Sequence, residues 1–426
     1  MTERLPGFST LSIHAGAQPD PTTGARATPI YQTTSFVFND ADHAASLFGL
    51  QAFGNIYTRI GNPTNAVLEE RVAALEGGTA ALAVASGHAA QLVTFHALLQ
   101  PGDEFIAARR LYGGSINQFN HSFKNFGWNV VWADTDDVST FEKALSPKTK
   151  AIFIESIANP GGTVTDIEAI AAIARKAGVP LIVDNTLASP YLIKPIDHGA
   201  DIVLHSATKF LGGHGNSIGG IIVDAGTFDW SRDGRYPVLS EPRPEYHGIK
   251  LQETFGNFAF AIAARVIGLR DLGPALSPFN AFLLLTGIET LGLRVQRHSD
   301  NAKAVAEWLS AHPAVAWVSY AGLPGDRYHN LARKYSPKGA GAVFTFGLKG
   351  GYDAGINLVS NVKLFSHLAN VGDTRSLIIH PASTTHSQLS DAQKAQAGAG
   401  VDVVRLSVGL EDKEDLIADL DQALTA

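Results

Sequence analysis

An α/β fold, with a mostly parallel sheet in a large domain and a smaller α+β C-terminal domain, is the class that the sequence predicts. Three observations carry this reading. Apolar runs of strand length alternate with amphipathic helical stretches from residue 65 to about residue 223. Polar and glycine-rich segments recur at the carboxyl ends of those runs, where open α/β sheets bind ligands. The 426 residues include 42 glycines, 45% hydrophobic and only 17% charged residues, the composition of a folded globular protein with chain enough for two or three domains.

Residues 1–62 contain Pro6, Pro19, Pro21 and Pro29 and little helical periodicity. They read as an extended arm with one short helix at 41–49, packed on another subunit. A helix at 66–76 follows, with Val67, Leu68, Val72 and Leu75 as its apolar positions and Gly77-Gly78 as its stop. Strands are expected at 80–85, 104–107, 129–132, 151–155, 181–184, 202–205 and 218–223, and helices at 88–99, 115–125 and 166–177. Such alternation implies a sheet covered on both faces. Segment 229–280 breaks the rhythm as an elaborated loop that leads into an apolar helix at 258–269. The large domain is therefore expected at 63–275 and the C-terminal domain at 276–426. The latter opens on a helix at 280–311, continues through strands at 314–320, 342–348 and 376–380, and ends on a helix at 413–424.

Composition excludes several classes of function. A formal net charge of -7 without a long basic run argues against nucleic acid or an anionic membrane as partner. The absence of cysteine removes disulfides, thiolate zinc sites and a cysteine nucleophile. No His-Glu-x-x-His spacing occurs, and no metal site is expected. Without an apolar signal core or a run of about 18 apolar residues, the cytoplasm is the expected location.

The residues with chemistry lie at the predicted strand ends. Ser86-Gly87-His88 opens a helix whose N-terminus favours an anion such as phosphate, although taken alone an ordinary strand-to-helix turn with Ser86 as N-cap is the better reading of it. Tyr112 beside Gly113 and Gly114 can stack on a flat ring or pack on the core. Glu155 ends a buried strand, and the turn Asn159-Pro160-Gly161-Gly162 after it does not explain that carboxylate. Asp184 ends another apolar strand and needs a partner once desolvated, which a protonated ring nitrogen would provide. Lys209 arrives after the apolar run 200–205, between Ser206, Thr208 and a glycine-rich turn. There a desolvated amine acquires the lowered pKa of a nucleophile; the alternative is a lysine reaching back to water. Taken as a set, the acid, the lysine, the hydroxyls and the helix amides describe pyridoxal phosphate (PLP) held as a lysine Schiff base.

These motifs resemble the Cys/Met-metabolism family of PLP-dependent enzymes over nearly the whole chain. Tyr57-Thr58-Arg59-Ile60-Gly61-Asn62-Pro63-Thr64 is similar to the family's Tyr-x-Arg-x-x-Asn-Pro-Thr segment. The resemblance implies that Tyr57 and Arg59 reach the phosphate of a neighbouring subunit's cofactor. It further implies Ser86, Gly87, His88, Ser206 and Thr208 as phosphate contacts, Tyr112 as the ring-stacking residue and Asn159 as a contact to the phenolic oxygen. Asp184 becomes the pyridinium partner, with Thr186 beside it in the cofactor site, and Lys209 the Schiff-base lysine. Val404-Arg405-Leu406-Ser407-Val408-Gly409-Leu410-Glu411 matches the segment whose arginine holds the substrate carboxylate, so Arg405 and Asn370 are expected to bind substrate. Lys209, Tyr112 and Tyr57 are the implied catalytic groups. The implied fold is the type I aminotransferase-like one, in a homotetramer of paired dimers with shared sites.

Within the family, segment 229–280 and the string 370–386 resemble the sulfhydrylase branch. Gly113 and Gly114 stand where methionine γ-lyases carry a cysteine after the stacking tyrosine. The resemblance implies γ-replacement on O-acetyl-L-homoserine by sulfide or methanethiol, yielding homocysteine or methionine plus acetate. Cystathionine γ-synthase, methionine γ-lyase and a catalytically silent assembly module are the alternatives.

Overall fold

The computed structural model describes residues 6–384, 387 and 398–425. The first five residues of the expected arm, and Thr385 and His386 of the sulfhydrylase-like string, lie outside the described residues. A seven-stranded sheet organises the first half of the chain. Its strands are β1 (Ala80–Val84), β2 (Glu104–Ala108), β3 (Asn129–Ala133), β4 (Thr149–Glu155), β7 (Leu181–Asp184), β8 (Ile202–Ser206) and β9 (Gly220–Asp224). A two-stranded ribbon, β5 (Ile157–Ala158) and β6 (Thr163–Val164), interrupts the series. The spatial order is β1-β9-β8-β7-β4-β2-β3, with β9 antiparallel to both neighbours and the remaining pairs parallel. The mostly parallel expectation therefore holds. Successive residues Ile152, Phe153 and Ile154 of β4, and Leu181, Ile182 and Val183 of β7, are all fully buried. Successive strand side chains point to opposite faces, so both faces of the sheet are covered.

The helix α3 (Pro63–Glu76) starts as its sequence directs. Asn62 caps it by accepting the Thr64 amide, Pro63 takes the first helical position, and Gly77 ends it in a left-handed conformation. Two shorter helices precede it, α1 (Phe8–His14) and α2 (Ala41–Phe48). The first was not expected. It packs on α3, and the Arg71 side chain bonds the Ala15 carbonyl at its end (3.0 Å), so this part of the arm docks on its own chain.

A five-stranded sheet of order β10-β11-β14-β13-β12 forms in the second half. Its strands are β10 (Val315–Ser319), β11 (Val343–Leu348), β12 (Ser366–His367), β13 (Leu377–Ile379) and β14 (Val403–Ser407). The helix expected at 280–311 is two, Pro278–Glu289 and Leu291–Ala311, broken at Thr290, where the Arg294 side chain takes the Gly287 carbonyl (2.7 Å). The helix expected at 115–125 changes from α to π to 3₁₀ geometry, and that at 258–269 from α to π; both irregular runs seat side chains in the core, Phe119 and Phe123 in the first. Helices His329–Tyr335 and Gly351–Asn361 escaped the sequence reading, the one being short and polar and the other having glycines at 351 and 355 that weaken its helical signal.

Candidate active site

A cavity of about 260 Å³ opens at the carboxyl ends of β1, β2, β4, β7 and β8, roofed by β14 of the second sheet. Ser86, Gly87, His88, Tyr112, Asn159, Asp184, Thr186, Ser206, Thr208, Lys209, Asn370 and Arg405 all line it. Of the residues singled out in the sequence, only Tyr57 and Arg59 do not. Tyr57 is exposed, Arg59 lies over its ring at 5.5 Å, and the Arg59 guanidinium donates to the Arg270 carbonyl.

The glycine-rich turns set the walls. The helix α4 (Gly87–Leu98) begins at Ser86, whose hydroxyl oxygen accepts the Ala89 amide (3.1 Å), so the plain N-cap reading of Ser86 is realised, and the helix end opens on the cavity. A Cβ on Gly87 would stand 2.9 Å from Ser206 Cβ, so glycine lets these two strand ends meet. A Cβ on Gly114 would come within 2.4 Å of the Tyr112 ring and 2.9 Å of His88, which explains the glycine at this position.

Lys209 sits on a loop anchored from beneath. Buried Arg294 donates to the carbonyls of Phe210 (2.9 Å) and Leu211 (3.1 Å), fixing the chain just past the lysine. The Lys209 amine donates to Asn370 Oδ1 at 2.5 Å. Burial, aided by the positive charge of Arg405, lowers its pKa from the ordinary lysine value, as a nucleophilic or basic amine requires. Arg405 projects from the middle of β14, between Thr345 and Ile379. It donates to Asn159 Oδ1 (3.0 Å) and to the Asn370 carbonyl (3.2 Å) and has no carboxylate partner among the described residues. Burial pulls its pKa down to about 10, which leaves it charged at neutral pH and in want of an anion.

Asp184 and Glu155 are register partners at the ends of adjacent strands. Asp184 Oδ1 accepts both the amide (3.0 Å) and the hydroxyl (2.5 Å) of Thr186, and Thr186 in turn accepts the Ser206 amide (2.8 Å). Thr186 thus ties the acid to the lysine strand. Asp184 Oδ2 has no hydrogen-bond partner among the described residues, although burial raises the carboxyl's pKa. Glu155 answers the question that the turn left open. Its two oxygens accept the amides of Tyr112 (2.7 Å) and Asn159 (3.0 Å), pinning two pocket residues at once. Burial first, and Asp184 second, push its pKa up to about 8 despite those amides.

A pH dependence follows. The folded chain holds the Glu155 proton more tightly than the unfolded chain, so stability is fully present below pH 4.5 and declines as pH rises to about 8. Asp224, raised to about 7 by burial, acts in the same direction. Cofactor-free protein is expected to lose thermal stability between pH 5 and 9, and Glu155→Gln to flatten that decline by up to roughly a few kcal/mol. Melting curves across this range, with equal slopes as the contrary result, check it.

The residues fit PLP. A partnerless carboxylate oxygen suits a protonated ring nitrogen, a desolvated amine suits its carbonyl, and the end of α4 with the Ser206 hydroxyl, which is unbonded among the described residues, suits its phosphate. The Thr208 hydroxyl is less free, since it bonds both the carbonyl (3.2 Å) and the amide (3.1 Å) of Gly219. The profile of the Cys/Met metabolism PLP-dependent enzymes matches residues 9–425. The chain belongs to this family. Within it, the chain is 54% identical over 419 residues to O-acetyl-L-homoserine sulfhydrylase 1 of Thermus thermophilus, covering 98% of this chain and 99% of that one. It is 50% identical over 419 residues to the homocysteine synthase of Schizosaccharomyces pombe, at 98% coverage of both. A crystal structure described as an O-acetylhomoserine (thiol)-lyase of Campylobacter jejuni, with its pyridoxyl phosphate on a lysine, superimposes with a TM-score of 0.96 at 41% identity. It covers 99% of this chain and is itself covered completely. This member of the PLP-dependent Cys/Met family therefore has the type I fold expected from its sequence. Among the described residues no group of histidine and acidic side chains is arranged to hold a metal, and no helix is long and apolar enough to cross a membrane.

Proposed function

We propose that this enzyme catalyses γ-replacement on O-acetyl-L-homoserine, with sulfide or methanethiol displacing acetate to give L-homocysteine or L-methionine. The observation that carries this reading is Arg405, a buried cation without an acid, in the same cavity as the desolvated amine of Lys209. A planar guanidinium suits the α-carboxylate of an amino acid, which it holds through two parallel bonds. The names of the relatives support the acyl-homoserine substrate and the sulfur nucleophile.

PLP, when bound, supplies the electron sink that makes protons next to the substrate's amino-bearing carbon acidic. The residues of the chain do the rest. Gly87, His88, Ser206 and, through more committed hydroxyls, Ser86 and Thr208 would hold the phosphate. Tyr112 would cover the ring, Asn159 would meet its phenolic oxygen, and Asp184, oriented by Thr186, would keep its nitrogen protonated. Lys209 would carry the cofactor, and its amine, when free, would take the α-proton. A second proton would leave the β-carbon before acetate departs from the γ-carbon with its bonding pair; the sulfur of the thiolate would then form the new bond there, and the two protons would return to the β- and α-carbons. Asn370 keeps the lysine amine within reach through its side chain while its backbone carbonyl orients Arg405. Tyr112 and Tyr57 of the partner subunit serve the protons near the leaving group. Steady-state rates with O-acetyl- and O-succinyl-homoserine, each offered sulfide, methanethiol and cysteine, test the assignment. Preference for the acetyl ester with sulfide or methanethiol is expected. Preference for cysteine would indicate a cystathionine γ-synthase, and release of an α-keto acid without thiol a γ-lyase.

We further infer a cytoplasmic homotetramer, built from dimers that share sites. Val37 (97% exposed) and Phe53 (79%) leave apolar surface on the arm, and Tyr57 and Arg59 do not serve the cavity of their own chain. Lys209→Ala and Arg59→Ala chains, each inactive alone, are expected to regain about a quarter of the wild-type sites when unfolded and refolded as an equimolar mixture, because one site of each mixed dimer is then intact. Activity that does not rise above the separate variants would assign the arm elsewhere.

A further inference from the structure

Behind the cavity, on the opposite face of the same strand ends, lies a polar network that the reaction does not touch. Glu76, the last residue of α3, is fully buried, and its Oε1 faces His205 Nε2 at 2.6 Å and the side-chain amide of Asn185 at 2.8 Å. Asn185 Oδ1 accepts the Ser156 hydroxyl (2.7 Å), and its amide also reaches the Ile193 carbonyl (2.9 Å). Ser156, Asn185 and His205 are the chain neighbours of Glu155, Asp184 and Ser206, so strand alternation turns one member of each pair to the cavity and the other to the network. Glu76 therefore gathers the ends of β4, β7 and β8. Two atoms of the network, Glu76 Oε2 and His205 Nδ1, are buried without hydrogen-bond partners among the described residues, a cost that an apolar core at this place would not carry.

We propose that Glu76 is a positioning residue, which holds a proton on His205 and so sets a positive charge behind Asp184 that keeps this acid ionised for the cofactor's ring nitrogen. The carboxylate and the imidazole are both fully buried and 2.6 Å apart, and among the described residues no other titratable group bonds to either of them. Asp184 itself faces His205 from behind, and His88 from α4 and Glu155 from β4 on the cavity side. His205 and His88 oppose the burial that would neutralise it, while Glu155 neighbours it as a like charge when ionised. The inference rests on the proposed role of Asp184 at the ring nitrogen.

The test uses the holoenzyme loaded with PLP labelled with ¹⁵N in its ring. Glu76→Gln keeps an oxygen for His205 and Asn185 but removes the charge. It is expected to move the ring-nitrogen resonance toward the unprotonated position at neutral pH and to raise the cofactor dissociation constant about tenfold, the equivalent of one pKa unit. Ser156→Ala, which loosens one strand tie without changing charge, is expected to leave the resonance in place. If Glu76→Gln does not fold, His205→Gln makes the same removal of charge from the other side. A wild-type resonance in either folded variant would overturn the inference, as would loss of the fold in both, which would assign the pair to stability alone. Asp184→Asn separates the two readings: a resonance unmoved there refutes the role of Asp184, whereas a shift there with none in Glu76→Gln refutes only that of Glu76.

Discussion

Lys209→Ala is expected to lower turnover by roughly 10³–10⁴-fold or more and to abolish covalent attachment of the cofactor, because one amine is asked both to carry PLP and to move the α-proton. Its environment makes those demands credible. The amine is half-buried, lies 2.5 Å from Asn370 Oδ1, and has its pKa lowered by burial and by Arg405. The loop that delivers it is held by Arg294, away from the chemistry, so the alanine variant is expected to fold. Visible absorbance after gel filtration and a steady-state assay read the two effects separately. A variant that keeps its bound colour and full turnover would remove Lys209 from the mechanism.

Arg405→Ala is expected to raise the KM for the amino-acid substrate about 100-fold, with a smaller change in kcat. Removing a desolvated cation that pairs with a carboxylate costs binding in the substrate complex and the transition state alike. Lysine at this position is expected to recover only part of the loss, since a point charge does not reproduce two parallel bonds to a planar acid. The KM for the thiol serves as the control, because the thiol carries no α-carboxylate to lose. An unchanged KM for the amino acid would send the carboxylate to another cation.

The candidate cofactor cavity was legible because its lining residues fall at predictable places. Asp184, Ser206 and the Ser86-Gly87-His88 turn each follow an apolar run, and a parallel sheet delivers the carboxyl ends of such runs to one edge. Local readings left open at single positions were decided by neighbours far away in the chain. Ser86 is an N-cap and also stands at the cavity wall, and Tyr112 lies over Gly114 instead of in the core. The role of Glu155 had a visible sign, an unexplained carboxylate at a buried strand end, but its two amide partners lie 43 and 4 residues away, and only folding brings both within reach. The network under Glu76 had no such sign. Its partners Asn185 and His205 are 109 and 129 residues distant, and a glutamate at the end of an amphipathic helix reads as a solvated one.

By itself, then, the sequence determined the sheet class, the strand ends that would meet, the family and the cofactor. Apolar periodicity and strand-end chemistry are local properties, which each short segment carries whatever surrounds it. Tertiary structure alone decided the antiparallel placement of β9, the docking of α1 on α3 of its own chain, the approach of Arg405 from a second sheet to Asn159, and the tying of three strand ends to Glu76. Each of these depends on contacts between segments tens to hundreds of residues apart, whose free energy lies in the packing of both partners and is written in neither segment alone.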